Sequence, residues 1–455
     1  MEDKIRMHFA PKQNSFLCFF LTLAVAFSGC VRYRPHPMEN ASFMERKQTQ
    51  TQGKLTVTVA VLSDKESKQL FGVALAKKGI QPVWIEIENL DTILYFFIPR
   101  NLDPNYYSAG EAAYMAHYRQ GKQFLEAGLV GIIFFPLLAL IPISFFRARS
   151  ANKSMDALFN KLSLPSHVVM PGAKEAGFVF VSVDEGTKHV RLDLIGDKEA
   201  HTAFDFVVPI PGMKPDYTTK DFEARYPGKA IVNYDEKKLI KALTELPCCT
   251  TNKKGTKNGD PLNLVVVGEL EDLVTIFTSA RWDETRELSF KSGLAMAKAF
   301  ITGSSDRYSP ISPLYYDGHP QDIAFQKSRD TINQRLHLRL WYTPMRYRTK
   351  PVWVGTISRD IGVKFTWSTW YMTTHKIDPN LDDARNYLLA DLAEVQKVSQ
   401  YGFTDNVALE RSTKPRKNLT GDPYTTDNRR LAIELSNEDA LPVTFSWNNL
   451  IQEEK

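Results

Sequence analysis

Between residues 318 and 385 the chain gathers its densest set of side chains able to do chemistry. His337 and His375, with Asp360, Asp378 and Asp382, are the residue types that a general acid–base pair or a divalent metal needs. His337, His375, Asp360 and Asp382 are the candidate catalytic groups. His337, His375 and Asp378 are the candidate ligands for a divalent metal. Arg339 and Arg385 are the candidate anion holders, because a guanidinium can grip a phosphate or carboxylate through two parallel hydrogen bonds. Each residue also has a plainer reading. Asp378 can cap a helix, Asp382 and Arg385 at i, i+3 can be a surface ion pair, and His337 can be a hydrogen-bonded sheet residue. The sequence has no HExxH, no paired CxxC, no GxSxG and no phosphate-binding glycine-rich loop, so no motif names a reaction.

The elements that must position these groups are legible. In the run from Arg335 to Tyr342 side chains alternate, so Leu336, Leu338 and Leu340 face one way and Arg335, His337, Arg339 and Trp341 the other. One face is expected to make core, the other to carry a base, a cation and a stacking surface. Asp360 ends the next hairpin. Asp378-Pro379 is a helix start signal, and a helix is expected over Asn380–Gln400 with Asp378, Asp382 and Arg385 on one stripe. Segment 335–364 holds seven basic residues against one acid, and four of the seven tryptophans lie at 341–370. Such interleaving can bind nucleic acid, but anionic lipid or polysaccharide suits an exported chain better; cationic sheet edges that discourage pairing are the plain alternative.

Around that segment, strands are expected at Leu262–Val267, His337–Tyr342, Val352–Ile357, Val363–Trp367, Arg430–Leu435 and Val443–Trp447, and helices at Glu269–Ala280 and Leu288–Phe300. This is an α+β domain with an antiparallel sheet over 260–440, followed by a tail at 441–455. Residues 213–259 read as a helical connector, with helical spacing from Asp235 to Leu246. Upstream, six period-two runs between Leu55 and Val208 argue for an antiparallel β-sandwich-like domain at 54–212. It is interrupted by Ala127–Phe146, which is 20 residues without a charge. Pro136 and Pro142 would break a helix there, so the run reads as a membrane-dipping or hairpin insertion, with a true span or a buried loop as alternatives. Polar residues 30–53 read as a tether.

The chain has 455 residues, 43% hydrophobic and 24% charged, which excludes wholesale disorder. A net charge of +5 is too mild to argue for nucleic acid on bulk electrostatics. Lys4, Arg6 and Lys12 precede an uncharged run from Phe16 to Gly29, the pattern of a secretory signal over residues 1–29. Phe27-Ser28-Gly29-Cys30 resembles a bacterial lipobox, which implies cleavage before Cys30 and its acylation with chains such as palmitate. Val31 after the cysteine implies the outer membrane, facing the periplasm. Membrane attachment is thus expected through Cys30 and through 127–146. Adjacent Cys248 and Cys249 read as two small buried residues at a turn, with a disulfide or metal binding as alternatives.

Four ordered motifs resemble the LssY C-terminal domain family over roughly 260–440. They are Gly318-His-Pro-Gln-Asp-Ile-Ala-Phe325, Arg335-Leu-His-Leu-Arg-Leu-Trp341, Pro351-Val-Trp-Val-Gly355 with Asp360, and Thr374-His-Lys-Ile-Asp-Pro379 with Asp382 and Arg385. The resemblance implies work at a membrane on lipid-linked or envelope substrates, with no catalytic residues to carry over. The first motif usually has Arg where His319 stands, and a second histidine is common where Lys376 stands. The expected whole is a lipid-anchored envelope protein that binds or assembles through its β domain and C-terminal domain. The alternative is a hydrolase of a lipid-linked or anionic envelope substrate that uses the His337/His375/Asp cluster.

Overall fold

The computed structural model describes residues 33–118, 141–197, 200–212, 215, 217, 220–226, 231–285, 311–328, 335–365, 373–409 and 414–446, with backbone alone at 40, 141–147, 363–365 and 373–375. The expected signal segment 1–29, Cys30, the helix at 288–300 and residues 127–140 of the apolar run lie outside the described residues. The chain divides into two compact units. One is Met1–Val183 with Val190–Val208, the other Asp184–His189 with Pro209–Lys455. The fold is α+β with mostly antiparallel sheets, as expected.

The first unit holds β1 (Gln48–Gln52), β2 (Leu55–Val61), β3 (Ile80–Asn89), β4 (Tyr95–Phe97), β5 (Val168–Val169), β6 (Lys174–Ser182), β7 (Thr187–Gly196) and β8 (His201–Pro209). Its helices are α1 (Asp64–Phe71), α2 (Pro99–Leu102), α3 (Ala109–Ala116) and α4 (Ile141–Leu162). The strands form two four-stranded sheets, β1-β2-β3-β6 and β5-β4-β7-β8. One face of the first sheet is covered by helices: Leu70 and Phe71 of α1, Ala112 and Ala113 of α3, and Met155 and Phe159 of α4 bury against Ala60, Trp84, Phe178 and Phe180. Ser63 and Ser108 start α1 and α3 with capping boxes to Glu66 and Glu111. Gly177 is required by a close crossing, since a Cβ there would lie 2.4 Å from Leu164 Cα.

The tether expected over 30–53 gives way to folded structure from Tyr33 onward. Phe43 is fully buried in the helix-covered core, and residues 48–52 are an edge strand paired to β2. The Gln48, Gln50 and Gln52 side chains donate to the backbone carbonyls of Val207, Asp205 and Ala203 on β8, at 3.1, 2.7 and 2.8 Å. Alternating glutamines look like linker composition, but at period two they seal one sheet edge against another strand's carbonyls. Among the described residues no helix is long and apolar enough to cross a membrane.

In the second unit the strands are β9 (Val232–Tyr234), β10 (Cys249–Thr251), β11 (Asn258–Pro261), β12 (Leu264–Val267), β13 (Asp283–Glu284), β14 (Tyr315–Tyr316), β15 (His319–Pro320), β16 (Ile323–Ser328), β17 (Arg335–Tyr347) and β18 (Lys350–Phe365). They continue with β19 (Thr373–Ile377), β20 (Val398–Asp405), β21 (Arg416–Lys417), β22 (Pro423–Tyr424), β23 (Arg429–Leu435) and β24 (Val443–Thr444). The helices are α5 (Glu236–Thr244), α6 (Leu270–Ser279) and α7 (Leu381–Glu394). The large sheet runs β13-β16-β17-β18-β12-β23-β20-β24, with β19 added on β18 and β9 on β17. On one face Phe277 of α6 stacks on Phe325 of β16 at 4.8 Å. On the other, Leu239 and Leu243 of α5 pack with Val265, Trp341, Val354 and Ala432. The 213–259 segment is therefore not a connector from α5 onward: its helix is part of this core.

Two further differences have local causes. The last helix ends at Glu394 rather than Gln400, with Gln396 in the left-handed region at φ 57°. Val398, Tyr401 and Phe403 then pair with β23, where strand formers gain a ladder that a longer helix would forgo. The Cys248–Cys249 pair is joined as a disulfide at the entry to β10.

Candidate functional site

β17 and β18 build the site. They pair antiparallel from Leu336↔Arg359 to Tyr342↔Trp353, and β16 lies on the other side of β17 with Gln326↔His337 and Ala324↔Arg339. The expected alternation holds: Leu336, Leu338 and Leu340 are buried on one face. The polar face is also buried. Arg335, His337 and Arg339 are 1%, 6% and 6% exposed. The reason is that the second face carries its own cover, including Ser312, Asp260 on β11 and Asp422 beside β22. Arg339 Nη2 donates to Ser312 O at 3.2 Å, and Arg335 Nη1 donates to Gln326 Oε1 at 2.8 Å.

His337 Nε2 lies 3.2 Å from Asp360 Oδ2, with both side chains buried. Asp360 sits where β18 leaves β17 and takes up β19, at a register shift between Asp360 and Gly362. Burial pushes its carboxyl up to about 7, with Asp260 and Asp422 adding to the push and Arg335 and Arg339 opposing it. Asp260 is likewise raised by burial, against the nearby charge of Arg339 and a hydrogen bond from Asn418. Burial lowers the Arg339 guanidinium, while Asp260 and Asp360 pull it back. A buried carboxyl pushed up from the ordinary carboxylate range, beside a histidine, is a group suited to acid–base work or to pH-dependent recognition.

Asp360 also borders a cleft. This cleft of about 230 Å³ opens at the end of the sheet, lined by Lys327 and Ser328 of β16, Arg335 and Leu336 of β17, Arg359–Ile361 of β18, Asp378, and Tyr387 of α7. Tyr387 carries both cations of the helix side, with Arg359 and Lys327 5.5 and 5.7 Å from its ring centre.

Of the residues picked from the sequence, His337, Asp360 and Arg339 come together, and Asp378 joins Asp360 in the cleft wall. Asp378 also does the work of a turn residue, its Oδ1 accepting from Asn380 N at 2.9 Å. Asp382 and Arg385 belong to a separate network. Arg385 is 2% exposed, grips both oxygens of Asp427 at 2.8 and 2.9 Å and lies 3.5 Å from Asp382. Asp382 accepts from Thr426 Oγ1 and Asp427 N. This pair is an internal clamp between α7 and loop 425–429 rather than a surface ion pair. His375 pairs through its backbone with Val363, and its side chain lies outside the described residues. Among the described residues no group of three His, Cys, Asp or Glu is placed to hold a metal ion. Lys327, Tyr387, Asp260 and Asp422 carry no signal in the sequence, since each reaches the site through tertiary packing.

The basic run of 335–364 is largely turned inward. Arg346 bonds to Tyr342 Oη and to the Thr343 and Met345 carbonyls, Arg348 and Lys350 reach Glu434, and Arg359 reaches Asp383. Lys364 lies among residues described by backbone alone.

The family model for the LssY C-terminus matches residues 241–429. The match starts inside α5, ends at the first residue of β23, and covers all four motifs, so the resemblance read from them is shown over this segment. No curated protein matches the chain.

Proposed function

We propose that this protein is a lipid-anchored envelope protein whose LssY-like domain recognises an envelope ligand in the cleft between β16, β18 and α7. The observation that carries the reading is the cleft itself: a concave site with convergent polar groups, bordered by a buried carboxyl whose proton is held up toward neutrality, is the ordinary form of a ligand site. The lipobox at Phe27–Cys30 supports attachment, because acyl chains bind bilayers at about 0.8 kcal/mol per buried CH₂. Ile361 is 42% exposed at the cleft and offers a position to block it. Full-length wild type and Ile361→Trp, purified from membranes, are to be compared by extraction and mass spectrometry. A small molecule retained by wild type and missing from the folded variant is the expected result. Identical extracts would remove the cleft from the account.

A second reading, hydrolysis, is favoured by the contact between His337 and Asp360. In it a water attacks the ester, the neutral Asp360 gives its proton to the departing oxygen, and the carboxylate left behind, positioned by His337, is stabilised by the nearby charges of Arg335 and Arg339. Turnover would then fall as pH rises through about 7 and be abolished in Asp360→Asn.

A further inference from the structure

The cleft lining favours one class of ligand. Lys327 and Arg359 bring two cationic side chains to the face of the sheet that the cleft shares with α7, since Lys327, Leu336 and Arg359 lie opposite one another across β16, β17 and β18. Both cations already hold an anion supplied by α7. Lys327 Nζ lies 2.6 and 2.7 Å from the two oxygens of Asp391, and Arg359 Nη1 lies 2.6 Å from Asp383 Oδ2.

The two internal anions differ in how firmly they are held. Asp391 is 11% exposed, and its Oδ2 also accepts Trp282 Nε1 at 2.7 Å. Asp383 is 53% exposed. Displacing it strands no buried carboxylate, and an ion pair with so exposed a partner is weak. Asp383 thus marks where an anion sits against Arg359 and can be exchanged for another. Leu336 and the exposed Ile361 give the same cavity an apolar flank.

We propose that the cleft binds a phosphate-type oxyanion, from an anionic lipid headgroup or a small phosphate ester, with Arg359 as its principal partner and Asp383 as the internal anion that it displaces. This rests on the reading of the cleft as a ligand site and names the ligand's chemistry. A guanidinium offers phosphate a two-pronged contact, and Lys327 adds a point charge beside it. The apolar flank takes the carbon chain next to the phosphate.

The test is titration calorimetry on the full chain in neutral detergent, with inorganic phosphate and with dihexanoyl phosphatidic acid as probes. Arg359→Gln and Asp383→Asn both lie at the rim, and thermal melts check that each remains folded. Losing the guanidinium contact should weaken phosphate roughly tenfold. Removing the competing carboxylate should tighten it severalfold. The opposite signs distinguish a binding role from general damage, which moves both variants the same way. Tighter binding of the lipid probe than of inorganic phosphate assigns the source to a headgroup, and equal binding assigns it to a phosphate ester; either supports the proposal. Unchanged or parallel responses of the two variants overturn it. If a molecule is lost in Ile361→Trp while phosphate ignores Arg359 and Asp383, the cleft stands and the ligand class is wrong.

Discussion

Asp360 is held where an ionised carboxylate is costly. Its folded value, about 7, lies above the ordinary 3.8, so the native state holds this proton more tightly than the unfolded chain. The stability linked to it is fully present below about pH 4 and is lost as pH rises to about 7, with an upper bound of about 4 kcal/mol. Asn mimics the neutral acid. Urea unfolding of Asp360→Asn should therefore match wild type near pH 4 and exceed it at pH 8; a gap that does not change with pH would contradict the burial account. At this scale the sequence was informative for residue type and pairing. Alternation placed His337 and Arg339 on one face, and the hairpin placed Asp360 near them. It was silent on burial, because Asp260 and Asp422 arrive from distant segments whose local pattern says nothing of a charge partner. It also grouped Asp382 and Arg385 with the histidines, since a helical stripe shows which residues share a face but not what that face meets.

Elements here are joined by side chains acting on backbone. Arg430 is fully buried and donates to the carbonyls of Leu243 in the last turn of α5 and of Leu246 and Pro247 just beyond it, to Leu262 O, and to Asn406 Oδ1. Those last carbonyls of a helix have no partner within it, so one arginine satisfies what the helix end leaves open. Arg430→Met strands these acceptors and should cost about 3 kcal/mol or more in urea unfolding. A loss below about 1 kcal/mol would mean that water replaces the guanidinium. In the first unit, the glutamine side chains of β1 bond to β8 from a partly exposed edge. Gln48, Gln50 and Gln52 changed together to Ala should cost about 1–3 kcal/mol and speed amide exchange across β1. Unchanged exchange there would show that the β1–β2 ladder suffices. Period-two patterning revealed most central strands, and helical spacing revealed α5. It failed at β1, where polar composition hid an edge strand, and at β20, where pairing with β23 overrides a helical run.

For the whole molecule, the account is an envelope anchor, a β unit and an LssY-like unit with a ligand cleft. The sequence reading put a connector at 213–259 before the second domain; that start could not be read, because α5 joins the second core through Leu239 and Leu243, a tertiary contact no local pattern announces. The anchor makes its own prediction. Cys30→Ser, which removes the thiol proposed to be acylated, should move the protein out of the membrane fraction or leave its signal uncleaved. Full retention with normal cleavage would place attachment elsewhere, with residues 127–146 the next candidate. The central claim, however, is that Asp360, buried beside His337 at the edge of the cleft, holds its proton up toward neutral pH. The direct measurement is ¹³C carboxyl NMR of aspartate-labelled full chain across pH 4–9, beside Asp360→Asn. The account predicts one carboxyl titrating with a midpoint of about 7, absent from the variant. If every aspartate titrates in the ordinary range near 4, Asp360 is charged at neutrality and the site as described is contradicted.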